Sequence, residues 1–209
     1  MSREPLFIAL SLGLTLATPA SATQFTWDGD GSAPLNDDAG AWAATGGTNW
    51  LNGTTSVYGA WGNTTADEAI FGSNNGAAGT ITVGTVTANK ITFNAAGSGN
   101  YALSGGTITL GGTSPKITAN VDATISSVIA GTTRWTRDGA GILSSSGTNT
   151  STGGVTLSGG KAILGATATL MASAAASNNA LNVNGGATLS FLSANPFSFG
   201  ASASLGQLA

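Results

Sequence analysis

The chain of 209 residues lacks cysteine and histidine altogether. Without cysteine it forms no disulfide, so its stability has to come from secondary structure and the core. The absence of both residue types also excludes the Ser-His and Cys-His nucleophile systems of enzymes and the usual zinc sites. Charged residues are scarce as well, at 7% of the chain, against roughly 25% in ordinary globular proteins.

The few charges sum to −3 and form no basic cluster. A protein that binds duplex nucleic acid needs a basic patch to neutralise phosphates, so we expect no nucleic-acid partner. Long apolar runs are also missing after residue 22, and no later segment could cross a bilayer as a helix.

The first 22 residues have the pattern of a secretion signal. Arg3 gives a basic start, residues 6–17 form a short apolar core, and Ala20-Ser21-Ala22 matches a small-x-small cleavage site. A membrane helix would need a longer apolar run. The sequence therefore predicts a signal peptide at 1–22, a mature chain from Thr23, and a secreted or cell-surface location.

In place of charged residues, the chain is rich in glycine, threonine, serine and asparagine. There are 32 glycines, about twice the average usage. The apolar residues, 41% of the chain, stand in twos and threes. Many of them alternate with polar residues, which is typical of short strands with one inward face. The predicted inward pairs are Ile81/Val83, Ile91/Phe93, Tyr101/Leu103, Ile108/Leu110, Ile125/Ile129, Val155/Leu157, Leu181/Val183 and Leu189/Phe191.

Two all-β architectures fit such a series of short strands. One is an antiparallel β-sandwich with hairpins at the Gly-Gly and Asn-Gly turns. The other is a parallel β-solenoid, in which each strand pairs with the strand one coil earlier. Isolated inward pairs and threonine-rich outward positions favour the solenoid, and the sandwich stays as the alternative.

The segment from Arg137 to Leu164 resembles a known repeat, the autotransporter-associated β-strand repeat of bacterial surface and secreted proteins. The matching pieces are Arg137-Asp138-Gly139-Ala-Gly141, Ser146-Gly147-Thr-Asn149, Thr152-Gly153-Gly154-Val-Thr156, Gly159-Gly160 and Ile163-Leu164. Ser145 stands where the repeat usually has leucine, and Ser151 where it has tyrosine. Both departures remove apolar bulk, so we expect this copy to be loosely packed.

The resemblance implies a parallel β-solenoid passenger or stalk on the bacterial surface. It implies an N-terminal cap or leader at 23–75, since the Trp-rich start looks like the leader that precedes the first repeat. Solenoid repeats would then occupy 76–209 and continue beyond the C-terminus. An outer-membrane barrel is expected downstream in the full-length protein. Adhesion, without catalysis, is the function that this resemblance favours.

Trp42, Trp50 and Trp61 are the candidate ligand-contact residues of the cap. Flat aromatic faces could stack on sugar rings, which would make the segment a carbohydrate-binding module. The structural interpretation is that these tryptophans pack beneath the cap, because tryptophan buries a large apolar area. Trp135, alone in its surroundings, is predicted to be a core residue. An extracellular polysaccharide or another surface ligand is the partner that either interpretation leaves open.

An acidic stretch in the cap has some features of a calcium loop. Asp28-Gly29-Asp30-Gly31, with Asn36, Asp37 and Asp38, alternates oxygen-bearing side chains around glycines. A complete Asp-x-Asp-x-Asp-Gly loop and its closing glutamate are missing. We therefore expect a solvated turn and no cofactor, with calcium as the alternative.

Catalysis would have to use very few residues. A polysaccharide lyase with an arginine base could draw only on Arg134, Arg137 and Asp138. The repeat already accounts for Arg137-Asp138-Gly139 as a basic turn. We therefore predict that this turn is solvated and that the protein is not an enzyme, with a lyase as the least favoured function.

Overall fold

The computed structural model describes residues 22–170 and 181–192. The predicted signal peptide, apart from Ala22, and the segment after residue 192 lie outside the described residues. The described part is built from strands and turns, and it contains no helix that could cross a membrane.

The strands belong to two sheets that run side by side along the chain. The first sheet contains β1 (Gln24–Trp27), β3 (Trp50–Asn52), β4 (Val57–Gly59), β5 (Glu68–Phe71), β7 (Lys90–Phe93), β9 (Lys116–Ala119), β12 (Trp135–Asp138), β14 (Val155–Leu157) and β16 (Leu181–Val183). The second contains β2 (Gly40–Trp42), β6 (Thr80–Ala88), β8 (Ala102–Leu110), β10 (Ala123–Ile125), β11 (Val128–Ala130), β13 (Ile142–Ser145), β15 (Lys161–Leu164) and β17 (Thr188–Phe191).

Successive coils stack in parallel, each giving a strand to both sheets. In the first sheet Glu68 lies beside Lys90, and in the second Thr80 lies beside Ala102, a shift of 22 residues in both cases. Among the described residues, antiparallel pairing is confined to β1–β3 and β3–β4. The predicted parallel β-solenoid is therefore confirmed, and the antiparallel sandwich is wrong.

The alternation of side chains explains why each coil forms strands. In β6, Ile81 and Val83 are buried while Thr80 and Thr82 point outward. Most of the predicted inward pairs are buried in the same way, and Val183 and Leu189 are half-buried against the core. The interior is thus a narrow apolar seam, and hydroxyl groups cover much of the outside.

Glycine makes the corners of the coil possible. Gly139 has a φ of +92°, and a Cβ atom there would lie 2.4 Å from the carbonyl oxygen of Ala119 in the coil below. Only glycine avoids both the left-handed strain and this collision. The turn predicted at Asp138-Gly139 is therefore a point of close approach between successive coils.

Strands β6 and β8 each turn a corner midway. Their inward–outward alternation breaks at Gly84-Thr85 and at Gly105-Gly106, where two consecutive residues are exposed. The next coil follows the same path with two separate strands, because β10 pairs with the first part of β8 and β11 with its second part. Glycine again supplies the freedom that this bend requires.

The segment predicted to be a cap contains parts of the stack itself. Strands β1 and β2 pair in parallel with β5 and β6, so the parallel ladder begins at Gln24. The hairpin β3–β4 is inserted between β2 and β5 and extends the first sheet beyond β1. The strands at this end, β4 and β2, have three residues each, and short edges of this kind limit pairing with other chains.

The alternation can be tested with two neighbouring substitutions in β9. Ile117 is fully buried, with Ile91 on one side and Arg137 on the other, whereas Thr118 points outward. We expect Ile117→Ala to lower the free energy of unfolding by about 2–5 kcal/mol because it opens a cavity. Thr118→Ala should change it by no more than about 0.5 kcal/mol. Urea denaturation followed by tryptophan fluorescence measures both, and equal losses would contradict the assigned inward face.

Candidate functional site

The tryptophans of the cap form one packed aromatic cluster. Trp42, Trp50 and Trp61 have exposed fractions of 0%, 2% and 3%. Their ring centroids lie 5.3 Å apart for Trp42–Trp50, 5.1 Å for Trp42–Trp61 and 4.8 Å for Trp50–Trp61. Trp27 and Phe71 pack on the same cluster, mostly in the tilted or edge-on geometry that aromatic rings prefer.

Two of these indoles also bind the backbone where strand partners run out. Trp61 Nε1 donates to the carbonyl of Thr87 at 2.9 Å, and Asn63 Oδ1 accepts from the N–H of the same residue at 2.7 Å. Trp27 Nε1 donates to the carbonyl of Asp38 at 3.0 Å. At the N-terminal end of the stack no strand of the described residues lies beside these groups, and side chains complete their hydrogen bonds.

The burial of these rings bears directly on the carbohydrate hypothesis. A sugar can stack only on an exposed aromatic face, and the faces of Trp42, Trp50 and Trp61 are covered by one another and by Phe71. Glycan contact through these residues stays a prediction, and the geometry favours the packing interpretation. Trp135 is buried as well, as predicted for a core residue.

The carboxylates of the acidic stretch accept hydrogen bonds from other groups of the same loop. Asp28 Oδ1 accepts from the N–H groups of Asp30 and Gly31 at 3.2 and 3.1 Å. Asp30 accepts from Ser32, and Asn36 donates to Asp38. Burial raises the pKa of Asp28 above its ordinary value. Burial and the nearby Asp28 carboxylate raise the pKa of Tyr58 to about 12.

Asp37 is fully buried, and its hydrogen bonds connect the acidic stretch to a later coil. Its Oδ1 accepts from the Tyr101 hydroxyl at 2.9 Å and from the N–H of Ser73 at 2.8 Å, and its Oδ2 accepts from the N–H of Asn75 at 2.9 Å. Burial, and then the Asp37 carboxylate, raise the pKa of Tyr101. The predicted solvated turn is therefore partly wrong, because Asp28 and Asp37 are inside the structure.

The calcium alternative finds little support in this arrangement. Within residues 22–170 and 181–192, no group of three or more acidic side chains is placed to hold a metal ion. Asp28 Oδ1 and both carboxylate oxygens of Asp37 already accept hydrogen bonds, whereas the buried Asp28 Oδ2 has no hydrogen-bond partner.

The basic turn of the predicted repeat is also placed differently from the expectation. Arg137 has an exposed fraction of 1%, so the prediction of a solvated turn is wrong for this residue. Its Nη1 donates to the carbonyl of Gly139 at 2.8 Å and also to that of Gly159, and its Nη2 donates to the carbonyl of Gly141. A guanidinium can satisfy several carbonyls at once, which explains its position inside a glycine corner.

The charges around Arg137 fit a structural role for this turn. Burial lowers the pKa of Arg137, and neighbouring Asp138 opposes this shift. Asp138 accepts a hydrogen bond from the N–H of Gly139 and forms an ion pair with Lys116 at 3.2 Å. These two contacts lower the pKa of Asp138. A lyase needs an arginine that reaches substrate, whereas the guanidinium of Arg137 is engaged with three carbonyls. Arg134 is half-buried.

One of the two departures from the predicted repeat, Ser145, lies beside a gap in the core. Ser145 lies in register between Ile125 and Leu164. A cavity of about 10 Å³ is found here, lined by these three residues among others. Ser151 is fully buried. The cavity beside Ser145 agrees with loose packing at that position, and the expectation for the whole copy stays a prediction.

The two sheets present different outer surfaces. The first sheet carries Glu68, Lys90, Lys116 and Asp138 on successive coils, and Lys90 pairs with Glu68 as Lys116 does with Asp138. Strands β6, β8, β10 and β11 of the second sheet contain no charged residue, and threonine occupies many of their outward positions. These four strands therefore present an uncharged outer surface for contact with another molecule.

Comparison with known proteins gives one informative similarity. The chain is 42% identical over 144 residues to the adhesin BmaC autotransporter of Brucella suis biovar 1 (strain 1330). The relative is an autotransporter adhesin. The match covers 66% of this chain but 4% of that protein, so the chain corresponds to a small part of it. No family model matches, and the repeat assigned from Arg137 to Leu164 stays a prediction. No solved structure matches the chain.

Sequence reasoning missed the buried polar residues that link coils. Asn149 is buried, with Oδ1 accepting from the N–H of Ile129 and Nδ2 donating to the carbonyl of Thr169, both at 2.7 Å. Asn89 donates in the same way to the carbonyls of Gly111 and Thr113. Asn89 stands directly between β6 and β7, and Asn149 stands in the turn after β13. In the sequence each resembled an ordinary turn residue.

The packing interpretation of the tryptophans predicts a loss of stability. Trp42→Ala should lower the free energy of unfolding by about 3–5 kcal/mol, because it empties the centre of the aromatic cluster. The neighbouring Ala41→Ser, at an exposed position of the same strand, is the control and should have little effect. Thermal unfolding and glycan-array binding are measured together. A Trp42→Ala variant that keeps its stability but loses glycan binding would instead support the carbohydrate platform.

The buried carboxyl of Asp28 predicts a particular pH dependence. Because its pKa is raised in the folded state, Asp28 contributes stability that is fully present below the unfolded pKa and is lost as pH rises through the folded pKa. Asparagine can still accept the loop N–H groups and never ionises. We expect the stability of Asp28→Asn relative to the unsubstituted protein to increase from acid to neutral pH in urea denaturation.

Asp138→Asn is the matched control for this measurement. The pKa of Asp138 is lowered, so its contribution is present above the unfolded pKa and is lost as pH falls through the folded pKa. Its variant should therefore show the opposite trend, losing relative stability towards neutral pH. The same trend in both variants would contradict the assigned environments.

Proposed function

We propose that this chain is part of the passenger of a surface-displayed adhesin, in which it serves as a rigid, non-catalytic rod. The observation that carries the proposal is the uninterrupted parallel ladder from β1 to β17, which closes a continuous apolar interior. Such a stack forms a rigid rod because every coil packs against the next one.

The similarity to an adhesin supports the adhesive role. The matched region is a small fraction of a much longer protein, which fits a stalk segment that presents other parts of the chain. In this proposal the protein is secreted to the cell surface through its signal peptide at 1–22. An outer-membrane barrel downstream in the full-length protein anchors it.

The contact surface proposed is the uncharged outer face of the second sheet. Threonine is stiff at χ1, so its hydroxyl is held in place before any ligand arrives. The ligand proposed is an extracellular polysaccharide or another surface molecule, and nucleic acid is not expected. No geometry in the described residues favours a lyase, and a carbohydrate module based on Trp42, Trp50 and Trp61 would require the cap to open first.

The proposal can be tested by displaying the chain on bacteria. The chain is fused to an outer-membrane barrel, and adherence to plastic, polysaccharide-coated and cultured-cell surfaces is compared with that of the barrel alone. We expect several-fold higher adherence and resistance of the displayed chain to protease. Ile117→Asp should abolish both, because it buries a charge in the seam.

Thr118→Asp is the matched control, since it introduces the same charge on the outside. It should keep protease resistance. A displayed, protease-resistant chain that adheres no better than the barrel alone on all three surfaces would overturn the adhesive role and leave a structural one.

A further inference from the structure

The corner between β16 and β17 contains an asparagine followed by a glycine, Asn184-Gly185. An asparagine followed by glycine can cyclise when the glycine nitrogen attacks the side-chain amide carbon. The N–C bond that forms closes a succinimide, and ammonia leaves. Water then opens the ring to aspartate or isoaspartate, so no oxidant, reductant or cofactor is involved.

The described residues contain this dipeptide at three corners: Asn52-Gly53, Asn75-Gly76 and Asn184-Gly185. The reaction needs a free glycine N–H and an asparagine side chain that can turn back onto it. Hydrogen bonds to either group hold the reactants apart, so the surroundings of each corner decide its reactivity.

Three hydrogen bonds restrain the first corner. The N–H of Gly53 donates to the carbonyl of Gln24 at 2.8 Å, which engages the attacking nitrogen. Asn52 Oδ1 accepts from the N–H groups of Thr54 and Thr55 at 2.9 and 3.0 Å. Both reacting groups would have to leave their partners before they could meet.

The second corner is held through its side chain. Asn75 Nδ2 donates to the carbonyl of Leu35 at 2.6 Å, and the N–H of Asn75 donates to Asp37 Oδ2 at 2.9 Å. Asp37 is itself buried and bonded to Tyr101. The side-chain amide of Asn75 is therefore held by Leu35 and would have to leave this partner before it could react.

The third corner lacks comparable restraints on the asparagine side chain and on the glycine nitrogen. Asn184, Gly185 and Gly186 are all exposed. The side chain of Asn184 has one long contact, 3.5 Å from Nδ2 to Ser158 Oγ, beyond the usual range of about 2.7–3.2 Å. The N–H of Gly185 has no hydrogen-bond partner among the described residues, and nothing lies within 4 Å of where its Cβ would be.

We propose that Asn184 is a deamidation and isoaspartate site of the folded protein, and that Asn52 and Asn75 are protected by the fold. The product places a negative charge at a corner of the rod. As isoaspartate it also adds one methylene to the main chain where the N–H of Asn184 donates to Leu157 of the preceding coil at 2.9 Å. The modification thus acts on the pairing of β16 with β14.

The test is incubation of the full chain in native buffer at mildly alkaline pH. Peptide mass spectrometry with electron-based fragmentation then locates aspartate and isoaspartate at the three sites. We expect Asn184 to react faster than Asn52 and Asn75 by roughly tenfold or more, the factor expected when several hydrogen bonds must open first.

Two controls keep the result interpretable. In concentrated urea the three sites should react at comparable rates, since the fold no longer protects two of them. Asn184→Gln, which cyclises slowly because of its extra methylene, should remove the fast phase in native buffer. Reaction of Asn52 or Asn75 as fast as Asn184 in native buffer, or the same order of rates in urea and in buffer, would overturn the proposal.

Discussion

The hydrogen-bonded ladder between one coil and the next is the constraint on which the rest of this structure depends. Each strand completes its backbone bonds only when it lies beside the strand one coil away. That placement brings Ile117 against Ile91 and stacks Phe93 on Phe71, with ring centroids 5.5 Å apart. Backbone pairing and burial of the seam are therefore satisfied by the same arrangement, and neither can be changed alone.

At the first coil the strands have no earlier neighbour among the described residues, so their outer edge lacks a parallel partner. The Trp-rich segment satisfies this edge in two ways. The hairpin β3–β4 prolongs the first sheet by antiparallel pairing. At the second sheet, Trp61 and Asn63 bond the backbone of Thr87, and the rings behind them cover the end of the seam. Tryptophan suits this position because it joins a large apolar area to one N–H donor.

The parts of this fold that follow from local pattern could be predicted from the sequence. Alternation around Ile81 and Val83 sets the inward face, and Gly139 sets a corner, because both depend on neighbouring residues alone. The hairpin β3–β4 and the position of Arg137 could not be predicted in this way. Both depend on what lies one coil away, and a basic residue before Asp-Gly has the same local pattern whether its guanidinium points outward or inward.

The same distinction explains why the candidate contact site is a surface, whereas the sequence predicted individual residues. Tryptophan, aspartate and arginine were the candidate site residues because they are rare in this chain and can bind a ligand or take part in chemistry. In the structure all three of Trp42, Asp37 and Arg137 are buried. Trp42 packs against other aromatic rings, and Asp37 and Arg137 form hydrogen bonds within the fold. What remains outside is threonine, serine and a few paired charges, and this composition suits contact over an area better than chemistry at a point.

The buried polar groups also answer a problem that any stack of similar coils faces. Isoleucine, valine and leucine would pack almost as well if the chain slipped by one coil, so the apolar seam alone discriminates weakly between registers. Asn89, Asn149 and Arg137 each donate to carbonyls at particular corners about 20 residues away. A slipped coil would leave these donors and their acceptors unpaired inside the protein, at about 1–3 kcal/mol each. The polar residues inside the seam therefore select the register that the apolar residues make stable.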